Sequence, residues 1–160
     1  MFHFLKGKNK ENVLYAPCKG KVVPLSEVPD PTFSEKILGD GFAVIPSEGK
    51  IYAPISGQIV QFHAGGHAFT IRNSTGLEVL VHVGIDTVRL EGKYFYPKVK
   101  EGAKVKKGDL LLEFDIKAIE KEGFSLATPV IISNIDDFSD EVRVDGLSVD
   151  FSDSLINVIK

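Results

Sequence analysis

The sequence predicts an all-β protein, an antiparallel β-sandwich or barrel-like fold with internal pseudo-symmetry and one or two short helices. Three observations predict it. Short runs rich in Val, Ile, Leu and Phe alternate with Gly, Pro, Asn and Asp along most of the chain, the spacing of strands joined by turns. The segment Ala16-Pro17-Cys18-Lys19-Gly20-Lys21-Val22 recurs as Ala53-Pro54-Ile55-Ser56-Gly57-Gln58-Ile59, so the same turn leads twice into the same strand. Helical signals are confined to two short stretches.

Residues 1–12 read as a flexible N-terminal arm and residues 13–160 as one domain, the size at which a single core suffices. In the arm, Phe2 to Leu5 is too short an apolar run for a secretory signal. The run precedes Lys6, Lys8 and Lys10, so residues 1–10 offer a weak membrane-surface contact as the alternative to a solvated, frayed terminus. Strands are expected at Lys21–Val23, Phe42–Ile45, Gln58–Phe62, His67–Arg72, Leu77–Val83 and Leu110–Phe114. A helical turn is expected at Ser34–Leu38. A short helix is expected at Ile116–Glu122, with Asp115 to cap it and Gly123 to end it. The segment from Val99 to Asp109 sets glycine turns, at Gly102 and Gly108, on either side of a short strand.

Bulk chemistry excludes some functions. Nineteen basic residues against 22 acidic ones leave a net charge of −3, without the basic excess of a general nucleic-acid binder. The single cysteine, Cys18, forms no intrachain disulfide, suits a reducing cytoplasmic setting, and reads as a small half-buried hydrophobe. No stretch reaches the roughly 18 apolar residues of a membrane span.

The chemistry-bearing residues are histidines. Of the four, His67 and His82 stand on two strands joined by Asn73-Ser74-Thr75-Gly76. If the hairpin closes on Ser74-Thr75, or on that whole four-residue loop, Arg72 faces Leu77, Phe69 faces Leu80 and His67 faces His82. Alternation then turns Val79, Val81 and Val83 inward, and leaves His82, Leu80, His67 and Phe69 on the other face. Two adjacent imidazoles make an incomplete zinc site, because a catalytic zinc usually takes three protein ligands. They suit a nucleophile with a neighbouring donor better, although two incidental surface histidines are the plain alternative.

The motifs around these residues resemble a known family. Val81-His82-Val83-Gly84-Ile85-Asp86-Thr87-Val88 closely resembles the phosphorylation-site signature of glucose-type enzyme IIA domains of the bacterial sugar phosphotransferase system. Gly66-His67-Ala68-Phe69 resembles the segment around that family's second histidine. Val28-Pro29-Asp30 with Leu38-Gly39-Asp40-Gly41, and Thr128 to Asn134, resemble its loop and its late strand. The likeness runs from about Val13 to Lys160. It implies a β-sandwich of duplicated hybrid type that needs neither cofactor nor metal. It implies that His82 accepts a phosphoryl group from phospho-HPr at Nε2 and passes it to a cysteine of a permease IIB domain. His67 would stabilise the group, and the Gly84 carbonyl would orient His82. Asp30 and Asp86 would rim an exposed apolar partner face of Phe33, Leu38, Phe69 and Leu80. The family's usual threonine two residues before its second histidine is here Gly65, and His63 stands at the rim where the family often has phenylalanine.

Other classes fit less well. A biotinyl or lipoyl carrier shares the paired-glycine hairpin near Glu101–Asp109, but its acceptor lysine motifs, Met-Lys-Met or Asp-Lys, are missing. A lysostaphin-type zinc peptidase needs a His-x-His pair, which the chain lacks. A non-catalytic regulatory module using the same face overlaps with the carrier.

Overall fold

A computed structural model describes residues 12–142, 148–149 and 154–159. Its strands are β1 (Val13–Tyr15), β2 (Gly20–Pro24), β3 (Asp40–Pro46), β4 (Lys50–Tyr52), β5 (Gly57–Phe62), β6 (Ala68–Arg72), β7 (Glu78–His82), β8 (Phe95–Pro97), β9 (Lys104–Val105), β10 (Leu110–Phe114), β11 (Thr128–Ile132), β12 (Ser139–Val142), β13 (Ser148–Val149) and β14 (Ser154–Ile159). The helices are α1 (Pro31–Ser34) and α2 (Ile116–Lys121). One sheet has eight strands in the order β13-β2-β3-β11-β7-β6-β5-β9, and two smaller sheets run β4-β10-β8 and β1-β14-β12. All these pairs are antiparallel, as the all-β reading requires.

The repeated Ala-Pro-x-x-Gly units have a common physical cause. Gly20 and Gly57 each open a strand, β2 and β5, where a neighbouring strand's carbonyl crosses closely. A Cβ would stand 2.1 Å from the Ile45 oxygen at Gly20 and 2.3 Å from the Arg72 oxygen at Gly57. No other residue fits either place. Helix α2 lies where the sequence places it: Asp115 Oδ1 accepts the Ala118 N–H at 3.1 Å, and Gly123 leaves the helix at φ 93°. The other helical turn begins earlier than the expected Ser34–Leu38. Asp30 Oδ1 caps Thr32 N–H at 2.9 Å and Pro31 takes the first helical position, while Lys36 at φ 58° stops the turn.

Expectations for residues 1–11 lie outside the described residues. Asn12, assigned by sequence to the arm, is buried; its Oδ1 accepts from Asn73 Nδ2 at 2.8 Å and from Thr75 Oγ1 at 2.6 Å. Cys18 is fully buried, and burial, with Glu48 second, pushes its thiol up to about 12.

The β6–β7 hairpin departs from the expected register by one residue. Arg72 pairs with Glu78, Thr70 with Leu80, Phe69 with Val81 and Ala68 with His82. The loop is neither two nor four residues long but three, Ser74-Thr75-Gly76. Asn73 N–H donates to the Leu77 carbonyl at 3.0 Å, and Gly76, at φ 91°, donates to the Asn73 carbonyl at 3.1 Å. This is a type I turn followed by a left-handed residue, a frequent three-residue hairpin closure. Asn73 Oδ1 completes it by accepting from Thr75 N–H and Leu77 N–H. An odd loop reverses the facing relation between the strands.

The eight-stranded sheet is consequently buried on both faces over its middle. Phe69, Ile71, Val79, Val81, Val130 and Phe42 point into the main core with Ile51, Phe95, Leu111 and Leu112 of the smaller sheet and its neighbours. On the outer face, Val23, Ala43, Ile131 and half-buried Leu80 pack under Leu25, Val28, Phe33, Ile85 and Ala127. His82 lies on that second face, one alternation beyond Leu80.

Candidate functional site

The end of β7 aims His82. Its Nδ1 donates to the carbonyl of Gly84, 2.8 Å away, which leaves the proton on Nδ1 and a free lone pair on Nε2. The carbonyl can turn back because Gly84 adopts φ 80° and Asp86 φ 60°, and Thr87 Oγ1 donates to the Val83 carbonyl at 2.5 Å to close the loop. Burial lowers the pKa of His82, against the Gly84 bond and the nearby carboxylate of Asp30, which raise it. The ring is therefore neutral, and nucleophilic, at neutral pH.

His67 reaches the same place despite the shifted register. It precedes the first residue of β6, after Gly66 at φ 81°, so strand alternation does not govern its ring, while its carbonyl still accepts Val83 N–H at 2.7 Å. The two rings meet edge to face with centroids 4.9 Å apart. His67 is 3% exposed, and its pKa is lowered to about 4 by burial first, then by the charges of His82 and His63. Its Nδ1 is buried without a hydrogen-bond partner.

His63, read from sequence as a rim residue or a third imidazole nearby, is exposed and also stands beside the pair. The tight turn through Gly65 and Gly66 folds its ring back to 4.3 Å from His67. The signal was the glycine pair between two histidines. Gly65 carries no hydroxyl for His67, as its sequence position implied. Gln61, His63, His67, Leu80, His82 and Val88 line one open cleft of about 320 Å³. Among the described residues, no three His, Cys, Asp or Glu side chains are placed to hold a metal ion.

The expected apolar face changes membership. Phe69 is not exposed: the three-residue loop turns it into the main core, 1% exposed. Phe33 is also buried, and its ring lies 5.2 Å from that of His82, as a floor rather than a contact surface. Leu38 is exposed, as expected, whereas Leu80 is only half-buried, because it packs on the second core cluster. Exposed Ile37, Ile45 and Val88 join Leu38 among the surface hydrophobes. Asp30 caps α1, its shorter-range role, and acts on His82 as well; Asp86 is exposed and also acts on His82.

Gly84 gives the first expected result. A Cβ there would stand 2.5 Å from Thr87 Cγ2 and 3.0 Å from the Ser125 carbonyl oxygen, on a backbone at φ 80°. Gly84→Ala should cost at least ~1–2 kcal/mol of stability in urea unfolding, the usual penalty of a left-handed L-residue, and displace the carbonyl from His82. An unchanged Nδ1 resonance in nitrogen NMR would show that the carbonyl had not moved.

Residues 12–138 match the family described as phosphoenolpyruvate-dependent sugar phosphotransferase system, EIIA 1. A PTS system glucose-specific EIIA component of Halalkalibacterium halodurans is 43% identical over 136 residues, covering 82% of this chain and 79% of that protein. A PTS system beta-glucoside-specific EIIBCA component of the same organism is 39% identical over 158 residues, 99% of this chain, which spans only 25% of that longer protein. The glucose permease IIA structure from Mycoplasma capricolum superimposes with a TM-score of 0.85 at 35% identity, over 100% of both chains.

Proposed function

The chain belongs to the EIIA 1 family of the phosphoenolpyruvate-dependent sugar phosphotransferase system, and from that premise we propose that it accepts a phosphoryl group from phospho-HPr on His82 Nε2 and passes it to a cysteine of a sugar-permease IIB domain, on the cytoplasmic side. One observation carries the choice of atom: the Gly84 carbonyl holds Nδ1–H and leaves Nε2 as the free nucleophile. When that lone pair bonds phosphorus, the ring becomes formally cationic, and the same carbonyl stabilises the Nδ1–H that now shares the charge. As the P–N bond forms, the bond from phosphorus to the donor's histidine breaks. On departure to a thiolate the electron pair returns to Nε2. His67, beside His82, offers an N–H to the phosphoryl oxygens.

The partner surface is the outer rim: Leu38, Ile37, Val88 and Ile45 exposed, Leu80 half-buried, with acidic Asp30 and Asp86 near His82. Val88 and Leu80 line the histidine cleft itself, and exposed apolar side chains at such a site suit a docking partner. Regulatory binding of other proteins would use the same rim. Among the described residues no helix is long and apolar enough to cross a membrane.

The test of the reading is incubation with phosphoenolpyruvate, enzyme I and HPr, followed by mass spectrometry; gain of one phosphoryl group on His82 supports it, and no gain refutes it. The rim gives a finer result. Asp86→Asn removes the charge but keeps a side chain that tolerates the left-handed backbone. Transfer from phospho-HPr should slow by up to about fivefold at low salt, the ~0.2–1 kcal/mol of an exposed charge pair, and recover at high salt. A rate unchanged at low salt would remove Asp86 from the path of approach.

A further inference from the structure

Resting on the carrier reading above, we propose that Phe95 is a positioning residue for His67, holding that ring by packing as the Gly84 carbonyl holds His82 by a hydrogen bond.

The two histidines are fixed by different means. His82 has its Nδ1 bonded to the Gly84 carbonyl at 2.8 Å. His67 is tied through its backbone, where its carbonyl accepts Val83 N–H at 2.7 Å. Among the described residues no hydrogen bond reaches either nitrogen of its ring, and Nδ1 is buried. A backbone anchor leaves the side-chain torsions open, so the neighbouring groups decide where the imidazole points. Three aromatic rings neighbour it, at centroid distances of 4.3 Å for His63, 4.9 Å for His82 and 6.2 Å for Phe95. His63 is exposed, and His82 is the ring that His67 serves. Of the three, only Phe95 belongs to the main core, and it is 5% exposed.

Phe95 is itself firmly placed. It pairs with Phe114 between β8 and β10, and the two rings stack with centroids 6.3 Å apart. The residue before it is locked to both ends of α2. Tyr94 accepts the N–H of the N-cap Asp115 on its carbonyl at 3.1 Å, and gives its hydroxyl to Glu122 at the C-cap. Tyr94 stands at φ 75°, a strained state for a tyrosine that persists only where the surroundings enforce it. β8 also presses on the residue before His67. Gly66 is at φ 81°, and a Cβ there would lie 3.2 Å from Phe95 Cβ and 3.1 Å from Pro97 Cγ. Phe95 therefore meets both the ring of His67 and the bend that delivers it. It does not line the cleft, so its influence on a phosphoryl group runs through His67.

The test is a double-mutant cycle on the full chain, built from Phe95→Leu and His67→Gln. Uptake from phospho-HPr and onward transfer to a IIB domain are measured on the parent, each single variant and the pair, with thermal unfolding to check that each is native. Phe95→Leu should leave uptake unchanged, because His82 keeps its carbonyl. Onward transfer should slow roughly ten- to a hundredfold, since a displacement of about 1 Å can cost ~10²-fold. In the H67Q background the same change should alter onward transfer by less than about twofold, because the group through which Phe95 acts is gone. Proton NMR cross-peaks between the His67 and His82 rings should also weaken in F95L, a readout that needs no partner protein. If the leucine variant is not native, Phe95→Met, whose flexible chain fills more of the space, takes its place in the cycle with the same expected pattern. Loss by the same factor with and without His67 would leave Phe95 a core residue only and overturn the proposal. So would a native Phe95 variant whose two rates match the parent's, or one that loses uptake and onward transfer equally. A parent that takes no phosphoryl group from phospho-HPr would overturn the carrier reading, and this proposal with it.

Discussion

Replacing His82 with Gln should abolish labelling by phospho-HPr altogether. Only a nitrogen lone pair on an imidazole can form the P–N bond, and the carboxamide nitrogen of Gln is conjugated into its amide and does not attack phosphorus. Neither neighbour replaces it. His67 is almost wholly buried, and His63 presents Nε2 as a donor because its Nδ1 is taken by Gly65 N–H. The fold should tolerate the change, since His82 is half-buried at a strand end and neither closes a turn nor fills the main core. Thermal unfolding checks that the variant is native, and mass spectrometry checks that it stays unmodified. A phosphoryl group retained on H82Q would move the acceptor to another imidazole.

His67→Gln should have the next largest effect, and on one step only. The nucleophile remains in place, so phosphorylation from phospho-HPr should proceed. What disappears is the ring 4.9 Å from His82 that offers a donor to the phosphoryl oxygens while charge moves towards the accepting thiolate. Loss of one preorganised donor typically costs ~2.7–4 kcal/mol, a factor of roughly 10²–10³ in rate. Phosphate should therefore accumulate on His82 and leave slowly to IIB. The missing hydroxyl at Gly65 does not weaken this expectation as much as the sequence implies, because Phe95 and His63 flank the ring on its other sides. The two rates measured on one variant decide it: equal loss in both, or loss only in the first, would show that His67 acts otherwise.

How much of this could be read from the residues alone depends on whether a signal was local. The Asp115 cap, the Gly123 stop and the paired Ala-Pro-x-x-Gly units were legible, since each is a short-range requirement of backbone geometry. The meeting of His67 and His82 was legible too, though by a pairing that the molecule does not use. What failed was the parity of a turn. Asn73-Ser74-Thr75-Gly76 permits two, three or four residues in the loop. The choice rests on Asn73 Oδ1 reaching Thr75 and Leu77, and on Asn12 arriving from the start of the domain to hold Asn73 and Thr75. That last contact joins residues 61 positions apart, beyond any local pattern. One residue of parity then put Phe69 in the core. The burial of Phe33 was hidden for a similar reason, because strand alternation says nothing about a helical turn laid across the outer face of a sheet. Its floor position depends on Asp30 and Pro31 starting that turn early.

The carbonyl that holds His82 belongs to the main chain, and this has an evolutionary consequence. A side-chain orienter can be deleted by a single nucleotide change. A peptide oxygen is present whatever residue is encoded, so drift at position 84 can move it but never remove it. The nitrogen proposed to react is thus aimed by a group that a substitution cannot delete, and only the bend has to be kept: a glycine at φ 80°, a threonine hydroxyl tied to Val83, and a residue at 86 that accepts φ 60°. On the proposed reading, substitutions at Ile37, Leu38 and Val88 would change the partner face while leaving the backbone that orients His82 as it is.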